Sequence, residues 1–198
     1  FADTPVGTLC AGRTDAGVHA LNQVVHIDAP VERDAFSWVR GTNRYLPADI
    51  AVQWCVPVAA GFHARNSARG RRYVYLLLES VVRPALESGA VGWVFRPLDG
   101  QAMRAAAVHL LGEHDFAAYC RKREGATTIR ALRELAWSRD AYVLTGRVVA
   151  DAFCHNMVRS LVGALVAVGE GRQPVTWPAD VLRAGGWTLH VVRPSTLD

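Results

Sequence analysis

The connection between two predicted strands, residues 135–139 and 142–150, constrains the fold most, because only two residues separate them. A two-residue connection joins antiparallel strands, whereas parallel neighbours need a crossover of a dozen or more residues. A long, mostly apolar helix is predicted to follow at residues 152–169. The second half of the sequence therefore predicts helices packed on a largely antiparallel sheet, which is the α+β class.

Strand and helix patterns also alternate over the rest of the sequence, and prolines and glycines mark a long connection between Arg83 and Pro97. Asp99 can cap the helix that follows, which is predicted to end at Leu111. We therefore expect a boundary near Arg96. It would divide an N-terminal half, residues 1–95, from a C-terminal half, residues 96–198. The other predicted elements are strands at residues 23–28, 50–58, 71–79 and 128–132 and a helix at residues 31–44.

The chain of 198 residues is 51% hydrophobic and 20% charged, which favours a folded core over disorder. No apolar run approaches the roughly 18 residues that span a bilayer, and the start does not resemble a secretory signal. We therefore expect a soluble cytoplasmic protein. The cysteines are expected to be free thiols, because they are far apart and form no C-x-x-C pair; they are Cys10, Cys55, Cys120 and Cys154.

The basic residues point to a polyanionic partner. The formal net charge is +4, and only Lys122 among the 22 Lys and Arg residues is a lysine. A GC-rich genome also enriches arginine, so the total alone leaves nucleic-acid binding open. Clustering favours it, because a guanidinium can bind phosphate through two donors and can stack on a base. The two clusters are Arg65, Arg69, Arg71 and Arg72, and Arg121, Lys122 and Arg123.

Asp15 lies in a short segment between Gly12 and Gly17, two glycines that allow a tight bend and a close approach to a ligand. Arg13 and Thr14 beside it suit phosphate contact. A cation from elsewhere in the fold would keep the Asp15 carboxylate ionised. An ordinary Asx turn has the same spacing, so the residues alone leave both interpretations open.

A second candidate, Arg159, lies on the helix predicted at residues 152–169. Arg159 is expected on the side opposite the helix's apolar stripe, where Gly163 would let a ligand or another segment approach closely. A solvated arginine is the alternative. The stripe consists of Cys154, Met157, Val158, Leu161 and Leu165, and the other side also carries His155 and Asn156.

Motifs for metal or cofactor chemistry are missing from the sequence. The seven histidines form neither H-E-x-x-H nor H-x-H, and no cysteine pair has ligand spacing. The nucleophile motif G-x-S-x-G and the phosphate-binding motif G-x-x-x-x-G-K-[ST] are also missing. We therefore expect neither a metal nor a cofactor.

Ten consecutive residues, Ala11–Ala20, followed by Gln23 and Val24, resemble the signature of the bacterial tRNA pseudouridine synthase A family. Further blocks resemble the same family, in the same order, over nearly the whole chain. These blocks are Asn43, Leu46–Ile50, Phe62–Arg65, Arg72–Tyr75, Gly112–Phe116, Phe153, His155, Met157–Arg159 and Val162–Gly163.

The resemblance implies two similar halves, ferredoxin-like or RRM-like, whose largely antiparallel sheets meet at a basic cleft. It implies a homodimer without cofactor or metal that converts uridines 38, 39 and 40 of the tRNA anticodon stem-loop to pseudouridine. Asp15 is then the catalytic aspartate, Tyr73 the tyrosine that packs against the target base, and Arg159 the arginine paired with the aspartate. Arg13 would contact RNA, together with His63 and the arginines of the first cluster.

Two departures accompany the resemblance. Asn22 stands where the family usually has glycine, a replacement that asparagine tolerates better than most residues at a left-handed position. We also expect the chain to lack the family's first strand and helix and its last strand. Two other functions stay open: a non-catalytic tRNA-binding module, and a hydrolase that uses Asp15 with His19.

Overall fold

The structure, a computed structural model, describes residues 2, 4–15, 17–121 and 125–185. Contacts within the chain divide it into two compact units, Phe1–Ala68 and Arg69–Asp198, and each unit has its own sheet. Helices and strands in both units confirm the α+β class. The division precedes the predicted boundary near Arg96, because the strand at residues 71–79 pairs within the second sheet. The organisation into two similar halves stays a prediction.

In the described part of the first unit, the chain forms a two-stranded antiparallel sheet and one helix. The helix begins after Asp34, whose carboxylate accepts hydrogen bonds from the Ser37 backbone N–H at 2.8 Å and the Ser37 hydroxyl at 2.7 Å. These bonds favour the ionised carboxylate and lower the pKa of Asp34. The strand predicted at residues 23–28 and the helix predicted at residues 31–44 are therefore confirmed, and both are shorter than predicted. The elements are β1 (Thr8–Cys10), β2 (Val25–Ile27) and α1 (Ala35–Asn43).

The strand predicted at residues 50–58 is wrong, because this segment forms no β-ladder. The side chain of Asn43 binds both backbone groups of Val52: its amide donates to the Val52 carbonyl at 2.9 Å, and its oxygen accepts from the Val52 N–H at 2.7 Å. A side chain therefore satisfies groups that a neighbouring strand would otherwise pair. The segment therefore has no regular secondary structure and lies beside the end of α1.

The second unit is built on a five-stranded sheet with the order β4-β3-β7-β6-β5. All of its neighbouring strands are antiparallel except β3 and β4, which are parallel. The strands are β3 (Arg71–Glu79), β4 (Gly92–Val94), β5 (Gly112–Asp115), β6 (Ile129–Asp140) and β7 (Val143–Ala150). The helices are α2 (Gly100–Val108), α3 (Met157–Gly169) and α4 (Trp177–Ala184).

The two strands predicted at residues 128–132 and 135–139 are one continuous strand, β6. Leu132 pairs with Ala150, whereas Glu134 pairs with Val149, so the register shifts by one residue between them. Such a bulge interrupts the period-two pattern without ending the strand. This explains why the sequence pattern indicated a break.

Helix α3 begins at Met157, five residues later than predicted, because Asn156 adopts a left-handed conformation with φ of 68°. Residues 160–169 are buried on every side, Gly163 included. Another part of the chain therefore packs against Gly163, which is one of the two alternatives expected for this side of the helix. Only the first turn, which carries Arg159, has half-buried side chains.

The core of the second unit lies between its sheet and helices α2 and α3. Leu77 and Val148 of the sheet, Met103 of α2 and Leu161 and Leu165 of α3 are all fully buried. Helices α2 and α3 approach closely at Gly169, where an added Cβ would lie 2.8 Å from the Met103 sulfur. Apolar contact between one sheet face and two helices therefore holds this unit together.

The expectation of four free thiols is wrong for two of the cysteines. Cys120 and Cys154 form a disulfide, with their Cα atoms 5.7 Å apart. The backbone N–H of Arg121 also donates to the His155 carbonyl at 3.0 Å, so two links join these loops. Cys10 and Cys55 are free, as expected.

The contact between Gly146 and Trp137, which are cross-strand partners in β7 and β6, allows a direct test of the core. A Cβ at Gly146 would lie 2.8 Å from the buried Trp137 ring. We expect Gly146→Ala to lower the free energy of unfolding by about 1–3 kcal/mol, measured by urea denaturation. The control is Gly89→Ala, whose Cβ would meet no atom within 4 Å. Equal losses in both variants would contradict the steric explanation.

Candidate active site

The loop between β1 and β2 displays Asp15. Arg13, Thr14 and Asp15 are exposed. The Val18 N–H donates to the Asp15 carbonyl at 3.0 Å, and Gly17 has a φ of 76° in this turn. The glycine therefore supplies the left-handed backbone that the turn requires.

The base of the loop is closed by cross-strand bonds. The Ala11 N–H donates to the Val24 carbonyl at 2.8 Å. The Gln23 amide then donates to the Gly12 carbonyl at 2.5 Å, and its oxygen accepts from the Gly12 N–H at 3.3 Å. We call these bonded residues, 11–12 and 23–24, the neck of the loop, and the exposed residues lie beyond it.

The turn that carries Arg65 is held onto β2 by a histidine. The backbone N–H of Ala64 donates to His26 Nδ1 at 3.1 Å, and Ala64 is buried. His63 Nδ1 accepts from the Asn66 N–H at 3.1 Å, and the two imidazole centroids are 5.2 Å apart. One nitrogen of His63 is therefore engaged within the protein, while Arg65 is exposed.

In the second unit, the alternation of β3 places Tyr73 and Tyr75 on the same side as the buried Leu77. The Tyr73 ring packs edge-on against Phe153, with centroids 5.0 Å apart and an interplanar angle of 86°. Burial raises the pKa of Tyr75, and the Arg159 cation partly opposes this rise. Tyr75 therefore lies within electrostatic reach of Arg159. Of the two tyrosines, the resemblance to the family assigned a role to Tyr73 alone.

Arg159 lies in the first turn of α3 and is half-buried. Its Nη1 approaches Asn156 Oδ1 at 3.5 Å. Asn156 thus does two things: it starts the helix with a left-handed backbone, and it offers an oxygen to the guanidinium.

The first arginine cluster is divided between the units. Arg65 belongs to the first unit, whereas Arg69, Arg71 and Arg72 belong to the second. In the second unit, Arg133 Nη1 donates to the Arg69 carbonyl at 3.1 Å. The register of β3 and β7 also places Arg72 and Arg147 on one sheet face, and both are exposed. Of the second cluster, Arg121 is exposed, and Lys122 and Arg123 lie outside the described residues.

The three residues assigned to catalysis belong to different units: Asp15 to the first, Tyr73 and Arg159 to the second. Their convergence stays a prediction. A separate depression of about 300 Å³ in the second unit contains none of them; it is lined by His109, His114, Asp115, Ala179, Leu182 and Arg183.

Metal-binding clusters and membrane-spanning helices are both missing from the described ranges, 2, 4–15, 17–121 and 125–185. Within these ranges, no three His, Cys, Asp or Glu side chains are placed to hold a metal ion. None of the helices within these ranges combines the length and the apolar character that are needed to span a bilayer.

Comparison with known proteins decides the family. The sequence profile of the tRNA pseudouridine synthase family matches residues 106–189. The tRNA pseudouridine synthase A of Methylibium petroleiphilum is 63% identical over 93% of this chain and 72% of its own length. Its namesake from Paracidovorax citrulli is 52% identical over 93% of this chain and 73% of its own length. The chain belongs to the tRNA pseudouridine synthase A family.

Membership in the tRNA pseudouridine synthase A family agrees with the resemblance seen in the loop and helix motifs. Because the aligned region covers 93% of the chain, it draws on both units, although the profile itself matches only part of the second. The α+β architecture described above is therefore the architecture of a pseudouridine synthase.

The left-handed start of α3 yields a prediction. We expect Asn156→Val to destabilise the protein by about 1–2 kcal/mol, because a β-branched residue is strained at a φ of 68°. Asn156→Gly should retain nearly wild-type stability, because glycine adopts this conformation freely. Thermal unfolding of both variants measures the difference. A Gly variant as unstable as the Val variant would show that the amide, rather than the backbone, matters.

Proposed function

We propose that this tRNA pseudouridine synthase isomerises one or more of uridines 38, 39 and 40 of the anticodon stem-loop. The observation that carries the proposal is the exposed Asp15 loop in a chain 63% identical to a tRNA pseudouridine synthase A. Asp15 is the reactive carboxylate, and the enzyme acts in the cytoplasm as a homodimer, without cofactor or metal.

The reaction breaks the N1–C1′ glycosidic bond, turns the uracil while it is held, and forms a bond from C5 to C1′. The C5 proton is lost and N1 is protonated, so no oxidant or reductant is needed. Asp15 either attacks C1′ as a nucleophile or removes a proton from C2′, and both routes require an ionised carboxylate beside the sugar. An exposed loop can present this group to a ribose.

Tyr73 and Arg159 are proposed to complete the site. The Tyr73 ring would pack against the uracil, and its edge-on contact with Phe153 keeps the ring in one orientation. Arg159 would pair with the Asp15 carboxylate and stabilise its ionised form. Its place on the first turn of an otherwise buried helix supports this role, because the backbone beneath the guanidinium is held by the core.

The basic residues are proposed to bind the RNA. A stem uridine must leave its stack, which costs on the order of a few kcal/mol, and phosphate contacts offset this cost. Arg13 beside Asp15 would hold the flipped nucleotide. The remaining contacts would come from His63, Arg65, Arg69, Arg71 and Arg72, of which Arg65, Arg69 and Arg72 are exposed.

Replacement of the carboxylate tests the chemistry. We expect Asp15→Asn to reduce pseudouridine formation in an anticodon stem-loop by about 10³-fold or more, because an amide is neither the base nor the nucleophile. Its affinity for tRNA should stay at or above that of the wild type, since only a negative charge is lost. Carbodiimide labelling followed by reverse transcription measures the product.

The control for this experiment is the exposed Asp28→Asn, a matched substitution in the same unit. Undiminished product from Asp15→Asn would remove Asp15 from the mechanism. A wild-type chain that binds tRNA without forming pseudouridine would instead identify a non-catalytic binding module.

Replacement of a cluster arginine tests the RNA contacts. We expect Arg72→Gln to weaken tRNA binding several-fold at about 0.1 M salt and to reduce the slope of log affinity against log salt by about 1. Arg83→Gln removes the same charge from an exposed position outside the cluster and serves as control. Equal losses in both variants would indicate a general charge effect rather than a phosphate contact at Arg72.

A further inference from the structure

The last cross-strand bonds at the neck of the Asp15 loop are made by a side chain rather than by the backbone. The last ladder pair of β1 and β2 is Cys10 with Val25, and the next residues are joined by the Ala11 N–H and the Val24 carbonyl. One step further, the Gln23 amide makes both contacts with Gly12, at 2.5 Å and 3.3 Å. Beyond this point the strand pairing ends.

The contact suits glutamine because a carboxamide has both a donor and an acceptor. Its nitrogen donates to the Gly12 carbonyl, and its oxygen accepts from the Gly12 N–H. The peptide groups on both sides of the Gly12 Cα are thereby held by one planar side chain. A residue with only an acceptor, or with neither, could not make both bonds.

Gly12 lies three residues before Asp15, and the turn from Asp15 to Val18 closes the other side. The segment that carries the carboxylate is therefore held at both ends: by Gln23 before it and by the Asp15–Val18 bond after it. Between them, Arg13, Thr14 and Asp15 are exposed to solvent. Without the Gln23 bonds, the start of this segment would be mobile, because the glycine backbone at Gly12 is flexible.

We propose that Gln23 is a positioning residue for Asp15, one that holds the loop so that the carboxylate meets the sugar in reactive geometry. Gln23 acts on the carboxylate through Gly12 and makes no contact with the uracil. This inference rests on the proposed function, because it concerns the efficiency of the reaction assigned to Asp15. A displacement of about 1 Å in such a group can reduce turnover by about 10²-fold.

Two substitutions distinguish the effect of the hydrogen bonds from the effect of the size of the side chain. Gln23→Met keeps the length of the side chain and removes both hydrogen bonds. Gln23→Glu keeps an acceptor for the Gly12 N–H, but its carboxylate faces the Gly12 carbonyl and the 2.5 Å bond is lost. The matched control is Gln53→Met, the same change at an exposed glutamine of the same unit.

The experiment measures kcat and KM for pseudouridine formation in tRNA, together with tRNA affinity and thermal unfolding, for the wild type and these variants. We expect both Gln23 variants to lose about tenfold or more in kcat, whereas KM and tRNA affinity change by less than about twofold. The melting temperature should change little, because the bonds are exposed and belong to a surface loop. Gln53→Met should match the wild type.

Three results would overturn the inference while the wild type is active: wild-type kcat in Gln23→Met, a rise in KM alone, or a loss of folding that accounts for the loss of activity. The last result would make Gln23 a structural residue. A wild-type chain that forms no pseudouridine would contradict the proposed function itself, and the inference with it. Activity of the wild type therefore separates the two failures.

Discussion

The pairing of β3 with β7 determines which side chains of β3 face the core of the second unit. Eight residue pairs, from Arg71 with Ala150 to Leu78 with Val143, hold β3 in register beside β7. Leu77 is completely buried in this register, and Tyr73 and Tyr75 share its side. A slip of one residue would turn all three side chains to the opposite face. The positions of both tyrosines thus follow from the need to bury an apolar side chain.

Prediction from the sequence worked where local signals agreed with the final structure. Strand β3 has the predicted bounds, and α2 begins after Asp99 as predicted, because the Asp99 carboxylate accepts bonds from the backbone of Gln101 and Ala102. It failed where a distant group decided the outcome. Residues 50–58 form no strand, and the bonds that Asn43 makes to Val52 in this segment carry no signal in a pattern of hydrophobicity. The register shift in β6 depends on cross-strand pairing, and the left-handed backbone of Asn156 likewise leaves no mark on the pattern of hydrophobicity.

Prediction of the candidate site from the sequence worked and failed in the same way. The Asp15 loop was recognised from a continuous motif, although composition and spacing alone favoured an ordinary turn. The hydrogen-bond partner of His26, by contrast, is Ala64, which lies 38 residues away in the sequence. The hydrogen bonding of Gln23 to Gly12 depends on the cross-strand register. Arg147 joins Arg72 on one face only through the pairing of β3 with β7. Residue types suggested the chemistry, whereas strand pairing determined the supporting contacts.

The burial of α3 on every side from Ser160 to Gly169 supports the guanidinium on its first turn. A helix surrounded by close-packed neighbours cannot shift without moving the core, so the backbone that carries Arg159 is held by side-chain packing. The loop that carries Asp15 is held differently, by exposed hydrogen bonds of Gln23 to Gly12 and of Val18 to the Asp15 carbonyl. The position of the cation therefore depends on the packing of apolar side chains, whereas the position of the carboxylate depends on a few polar contacts with directional geometry.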